Sequence, residues 1–113
     1  MRLEKEVVDF LRRFKKTAQN HGLRLVPRKK NLDAIARMGV TLAAAEEMIL
    51  RLTPKEYVSG PEKNHDGTSG EVWVFGKEED DKVIYIKLKL DGASAKCLSF
   101  HPAQYGIGPS DSR

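Results

Sequence analysis

Between Lys82 and Leu90 the side chains sort by alternate positions: Ile84, Ile86, Leu88 and Leu90 on one side, Val83, Tyr85, Lys87 and Lys89 on the other. A period of two belongs to a β-strand with one buried face, and a helix would scatter those four aliphatics around its surface. Glu71–Lys77 and Lys96–His101 alternate in the same way, joined to the middle run by Glu-Glu-Asp-Asp and by Asp91-Gly92-Ala93-Ser94-Ala95. The second half therefore predicts a three-stranded antiparallel sheet.

The first half has a helical period. Leu3, Val7, Phe10, Leu11, Phe14 and Ala18 predict an amphipathic helix over 3–20, stopped by His21-Gly22. Leu23 to Val26, followed by Pro27, is a strand fragment or an extended linker. Arg28, Lys29 and Lys30 form a basic knot before Asn31, which suits the N-cap of a helix carrying Leu32, Ile35 and Met38 and closed by Gly39. Thr41 caps a further helix with Leu42, Ala45, Ile49 and Leu52, and Thr53-Pro54-Lys55-Glu56 has capping-box residues for one more short turn. Ser59 to Gly70 is expected to be a twelve-residue loop, and 102–113 a frayed, polar tail. The fold class is α+β: N-terminal helices packed on one face of a C-terminal three-stranded antiparallel sheet.

A length of 113 residues suits one domain, 1–113. The charged N-terminus lacks the apolar stretch of a secretory signal, no apolar run is long enough for a membrane span, and Cys97 has no cysteine partner. A soluble, cytoplasmic chain with no membrane partner follows. Charge is unevenly spread: residues 1–55 hold 13 Lys/Arg against 6 Asp/Glu, and residues 56–113 hold 7 against 10. This asymmetry, with a pI near 9.3, points to an anionic partner, nucleic acid before membrane.

Matching the apolar sets fixes an expected register. Leu88 falls opposite Leu98, Ile86 opposite Phe100, Leu90 opposite Lys96, Phe75 opposite Ile84 and Trp73 opposite Ile86. One face is then Trp73, Phe75, Ile84, Ile86, Leu88, Leu98 and Phe100, to be covered by the helices, with Trp73 buried. The other carries Tyr85, Lys87, Lys89, Cys97, Ser99 and His101, with Tyr85 directly across from His101. Histidine is the side chain that exchanges a proton near neutral pH, and lysines hold phosphate. Such a patch suits RNA cleavage in which the 2′-hydroxyl attacks the adjacent phosphorus. That reaction needs a base, an acid and cations around the phosphorane, and no metal or other cofactor. Zinc is not expected, because Cys97 and His101 stand four residues apart, about 13 Å along a strand, and His65 and His21 have no ligand nearby in sequence.

The order of helices, then LTPKEYVSGP, EVWVFGK, VIYIKLKL and KCLSFH, resembles the MqsR family of toxins from bacterial type II toxin–antitoxin systems. The resemblance implies a RelE-like fold, cleavage of mRNA, and neutralisation by an antitoxin with a zinc-binding part and a helix-turn-helix part. The family's active-site tyrosine matches Tyr85. Its lysine after Asp-Phe-Tyr falls at Ser59, its glutamine after the sheet tryptophan at Val74, and its lysine near the chain end at His101. One of these four positions is kept, two are lost and one is exchanged for another proton-transfer residue. The expected catalytic residues are His101, Tyr85 and Lys87, and the expected RNA contacts are Lys89, Arg28, Lys29, Lys30 and Ser59. The leading reading is a metal-independent endoribonuclease toxin. The alternative is a catalytically inactive RNA-binding or regulatory protein of the same fold, and a third is a protein-interaction module.

Overall fold

A computed structural model of the chain describes residues 2–62, 70–79 and 81–103. The expected tail from 104 onward and the stretch 63–69, with His65, lie outside the described residues. Helix α1 spans Arg2–His21, strand β1 Leu23–Leu25, helix α2 Lys29–Met38 and helix α3 Leu42–Leu50. A 3-10 turn at Pro54–Glu56 leads into strands β2 Tyr57–Glu62, β3 Glu71–Glu79, β4 Lys82–Asp91 and β5 Ser94–Pro102. The strands form one sheet in the order β1-β5-β4-β3-β2, with β1 parallel to β5 and the other neighbours antiparallel.

The core follows from the two periods. On α1 the stripe Val7, Phe10, Leu11, Phe14 and Ala18 is buried, and so is the sheet face of Trp73, Phe75, Ile84, Ile86, Leu88 and Phe100. Phe10 stacks on Trp73 at 5.1 Å between ring centroids. Ala45 and Ile49 of α3, with Leu52, complete this layer. Each fully buried Phe or Leu contributes about 1.5–3 kcal/mol, so this layer is the main source of stability. Lys15 ties α1 to the end of α3, its Nζ donating to the Leu52 carbonyl at 2.6 Å. The capping signals act as expected at two places. Thr41 Oγ1 accepts from the Ala44 N–H, and Thr53 N–H donates to Glu56 Oε1 at 2.7 Å.

Four expectations are corrected. The sheet has five strands and is mixed, because β1 and β2 add at its two edges. β2 lies in what the glycine-rich pattern suggested was loop. Its residues YVSGPE lack alternation, and its pairing with β3 is irregular, which an edge strand tolerates. Gly60, at φ 125°, is required there, since a Cβ would come within 2.9 Å of the Trp73 Cα.

Second, β3 and β4 pair two residues away from the expected register: Trp73 lies opposite Leu88 and Phe75 opposite Ile86. A two-residue connection replaces the four-residue loop, with Asp81 at φ 67°, a conformation aspartate tolerates. A shift of two leaves each side chain on its expected face.

Third, β5 carries a bulge. Ser99 pairs with Lys87 but Cys97 pairs with Leu88, leaving Leu98 as the extra residue. Cys97 therefore enters the core in place of Leu98, and Ala95 rather than Lys96 faces Leu90.

Fourth, Asn31 is no helix cap. The helix begins three residues earlier, at Lys29 behind Arg28, and Asn31 is buried at 1% exposure. Its Nδ2 donates to the Val26 and Leu98 carbonyls at 2.8 and 3.1 Å, and the Phe100 N–H donates to its Oδ1 at 3.0 Å. β1 stops at Leu25, so the edge of β5 beyond Cys97 has no strand beside it. The Asn31 amide supplies the missing donor and acceptor on either side of the bulge, and fastens α2 to β5.

Candidate active site

The sheet face away from the core brings the predicted residues into two adjacent rows. Ser59, Val74, Lys87 and Ser99 pair across β2, β3, β4 and β5, and Gly76, Tyr85 and His101 form the next row. Ser59, Val74, Tyr85 and His101, the four positions singled out by the resemblance, thus share one face of the sheet as two cross-strand pairs, Ser59 with Val74 and Tyr85 with His101. Tyr85 and His101 are partly exposed, and their rings stack at 5.3 Å with 25° between planes. His101 Nδ1 lies 3.1 Å from the Pro102 carbonyl. A carbonyl only accepts, so this bond puts the proton on Nδ1 and leaves Nε2 to exchange one with a ligand.

The lysines divide. Lys87 Nζ is 3.3 Å from Glu62 Oε1, in a pair that is about one-third exposed. Lys89 is buried at 8% exposure. Arg28 precedes α2 and is exposed, and Lys29 Nζ holds Asp33 at 2.8 Å. That hydrogen bond keeps the Asp33 carboxyl below its usual range. Cys97, expected on this face, is in the core. Burial pushes its thiol up to about 12, and Sγ donates to the Ser99 carbonyl at 3.1 Å, so it is no nucleophile at neutral pH.

Sequence reasoning missed two cations beside His101. A groove of about 500 Å³ runs between α2 and the ends of β4 and β5. Lys30, Asp33, Ala34, Arg37 and Met38 line it from the helix, and Lys82, His101 and Pro102 from the sheet. The helical spacing of Lys30 and Arg37, seven apart, could have put Arg37 on the same side as Lys30. No local signal connects Lys82 to either, because only the fold of α2 onto β5 brings them close. Among the described residues Lys30, Arg37 and Lys82 make no ion pair, and no group of three His, Cys, Asp or Glu side chains is arranged to hold a metal ion.

A second cationic centre lies on the helix side of the sheet. Arg13 donates to Asp9 at 2.8 Å and to both oxygens of Glu71 at 2.6 and 3.1 Å, and the Trp73 Nε1 also donates to Glu71 at 3.3 Å. The hydrogen bond from Arg13 holds the Glu71 carboxyl below its usual range and raises the guanidinium further.

The site is thus a histidine–tyrosine stack bordered by cations on a mixed sheet packed against helices. The sequence model of one family, described as "Motility quorum-sensing regulator, toxin of MqsA", matches residues 9–102. That span is most of the chain, and the chain belongs to this family of toxins. Membership implies an antitoxin partner. No curated protein and no solved structure matches the chain. No helix among the described residues is long and apolar enough to cross a membrane.

Proposed function

We propose that this toxin is an endoribonuclease of RelE-like architecture that cleaves mRNA in the cytoplasm without a metal ion, and that a cognate antitoxin carrying a helix-turn-helix part silences it. The observation that carries this reading is the stacked Tyr85–His101 pair at the mouth of a groove lined by Lys30, Arg37 and Lys82, which make no ion pair among the described residues. In the proposed reaction the RNA 2′-oxygen forms a bond to the adjacent phosphorus and the 5′-oxygen leaves. The 2′-hydroxyl proton goes to a base and the leaving oxygen takes one from an acid. His101 Nε2 serves as one of these groups. Tyr85 holds the imidazole by stacking and offers its hydroxyl to a phosphate oxygen. Lys87 takes the scissile phosphate once Glu62 gives it up. Arg28, Lys29 and Lys30 near the start of α2 draw the RNA backbone in, with Ser59 a lesser polar contact.

One observation favours the alternative of a binding protein without catalysis. Val74 is 2% exposed, so a buried aliphatic residue stands where the resemblance puts the family's glutamine, and Ser59 beside it lacks a lysine's charge.

The test is cleavage of single-stranded RNA by purified toxin in a chelator. Products ending in a 2′,3′-cyclic phosphate are expected, with activity lost in His101→Ala. A wild-type protein that binds RNA, leaves it intact and does not slow growth would support the non-catalytic reading.

A further inference from the structure

Four surface cations are held by carboxylates, while others, Arg12 and Lys55 among them, are exposed and make no ion pair among the described residues. Arg13 is held by Asp9 and Glu71, Lys29 by Asp33, Arg51 by Glu47 and Lys87 by Glu62. The groove beside His101 differs in gathering three cations in one place. Lys30, Arg37 and Lys82 converge on it from two elements, all three are exposed, and none makes an ion pair among the described residues. Its one carboxylate, Asp33, is hydrogen-bonded to Lys29 and also lies in the field of Arg37, though not within ion-pair distance of it. A volume of about 500 Å³ is in the range of pockets that hold small organic groups.

We propose that this groove is a flanking subsite of the RNA. Arg37 and Lys82 bind the backbone phosphate next to the scissile one, and Lys30 guards the entrance. The inference rests on reading the toxin as an enzyme acting on RNA, and it extends that reading from the reacting atoms to the strand's path along α2. Arg37 is the anchor, because its planar guanidinium engages two phosphate oxygens at once, whereas Lys82 acts as a point charge. The groove begins at His101, so a phosphate held there fixes which internucleotide bond meets Nε2. The subsite thus aligns the strand as well as retaining it.

The experiment uses the full chain, freed of antitoxin, and a single-stranded RNA whose scissile nucleotide is 2′-deoxy, so binding is read without cleavage. For Arg37→Ala/Lys82→Ala the affinity should fall tenfold or more. The slope of log affinity against log salt should flatten by about 0.7 for each phosphate no longer neutralised. Arg37→Lys should recover only part of the loss. Arg12→Ala/Lys55→Ala, which removes two exposed charges elsewhere, should keep the wild-type affinity. Cleavage of the all-ribose RNA, measured in parallel, should show a raised KM for the Arg37/Lys82 variant. If the wild type cleaves RNA but the groove variant binds as tightly and with the same slope, the subsite is refuted and the catalytic reading stands. If the wild type binds without cleaving, the catalytic reading fails and the binding comparison still decides the groove. Unchanged RNA binding with weakened antitoxin binding would overturn the subsite and make the groove a protein interface. Failure of the wild type to bind RNA at all would overturn both.

Discussion

Arg13 and Arg37 each sit on an amphipathic helix packed against the sheet, yet their surroundings differ. Arg13 is fixed by two carboxylates, with its guanidinium 6.0 Å from the Phe10 ring centre. Arg37 lines a groove that holds His101 and has no ion-pair partner among the described residues. The sheet explains part of this. β3 begins with Glu71, which reaches α1 from the core side, while β5 ends in His101 and Pro102, which offer α2 no carboxylate. A fastened cation stabilises a helix–sheet contact, and an unfastened one is available to a ligand. The first centre is thus a structural contact, and the second is the one to which the proposed RNA subsite gives a binding role.

The sharpest test of that division is His101→Ala. Removing a general acid or base typically costs about 10²–10⁴-fold in rate, and cleavage should fall by that amount with the fold preserved. The side chain is half-exposed at the end of β5, outside the apolar cluster, so thermal unfolding should shift little. A folded variant that cuts at the wild-type rate would break the link between the groove and the chemistry.

Next in size is Asn31, which fastens the helix that carries Arg37. Asn31→Ala leaves the Val26 and Leu98 carbonyls and the Phe100 N–H without their side-chain partner, and a buried group so deprived costs about 1–3 kcal/mol. Denaturant unfolding should show a loss of that order. Asn31→Asp keeps the acceptor for Phe100 but sets a carboxylate against two carbonyl oxygens, and should be no milder. Should either variant unfold like wild type, the amide is not what holds α2 to β5.

These tests fall on features that differ in how far they can be read from the sequence. The buried stripe of α1, the two faces of β4 and the Tyr85–His101 pairing are all legible, because each depends on local periodicity. The β3–β4 register misses by two residues without harm, since parity and not alignment decides which way a side chain faces. The β5 bulge is illegible for a physical reason. Strict alternation favours Leu98 over Cys97 for the core, and only the Asn31 clamp on the Leu98 carbonyl and the Phe100 N–H shows why the strand breaks step. β1 shows only as a possible strand fragment with no place in the sheet, and β2 is hidden, because edge strands take their order from a neighbour, not from a pattern of their own. Arg37 and Lys82 are missed because 45 residues separate them, and no sequence signal joins one helix face to the end of a particular strand.

A smaller effect is expected at Lys87, which lies between the two extremes of the comparison: paired, but with Glu62 at 3.3 Å and about one-third exposed. Exposed pairs contribute at most about 1 kcal/mol, so Glu62→Gln should release Lys87 and tighten RNA binding by up to about fivefold. Weaker binding on this substitution would mean that Glu62 positions Lys87 rather than competing with RNA for it.

The smallest expected effect belongs to the fastened centre, and it carries a pH signature. The Arg13–Glu71 pair is bidentate but about 40% exposed on both sides, with side-chain exposures of 42% and 38%, so solvent screening should hold its contribution to about 1 kcal/mol or less. Glu71 in the folded chain has its carboxyl lowered, first by the hydrogen bond from Arg13. A lowered folded-state value means that the stabilisation is fully present above the unfolded-state value, near 4.5, and is lost as pH falls through the folded one. Glu71→Gln should therefore unfold earlier in denaturant than wild type at pH 7, with the gap closing as pH drops below about 4.5, where Glu71 of the unfolded chain takes up a proton, and gone once pH passes the lower folded-state value. Arg13→Ala should show the same gap, and the double variant should lose less than the two single losses combined, because both remove one interaction. Arg37→Ala should move the unfolding midpoint at neither pH, since exposed substitutions away from such contacts stay within about 0.5 kcal/mol. If Arg37→Ala destabilised the fold as much as Arg13→Ala does, the two cations would both be structural. The contrast between a fastened centre and an available one would then disappear.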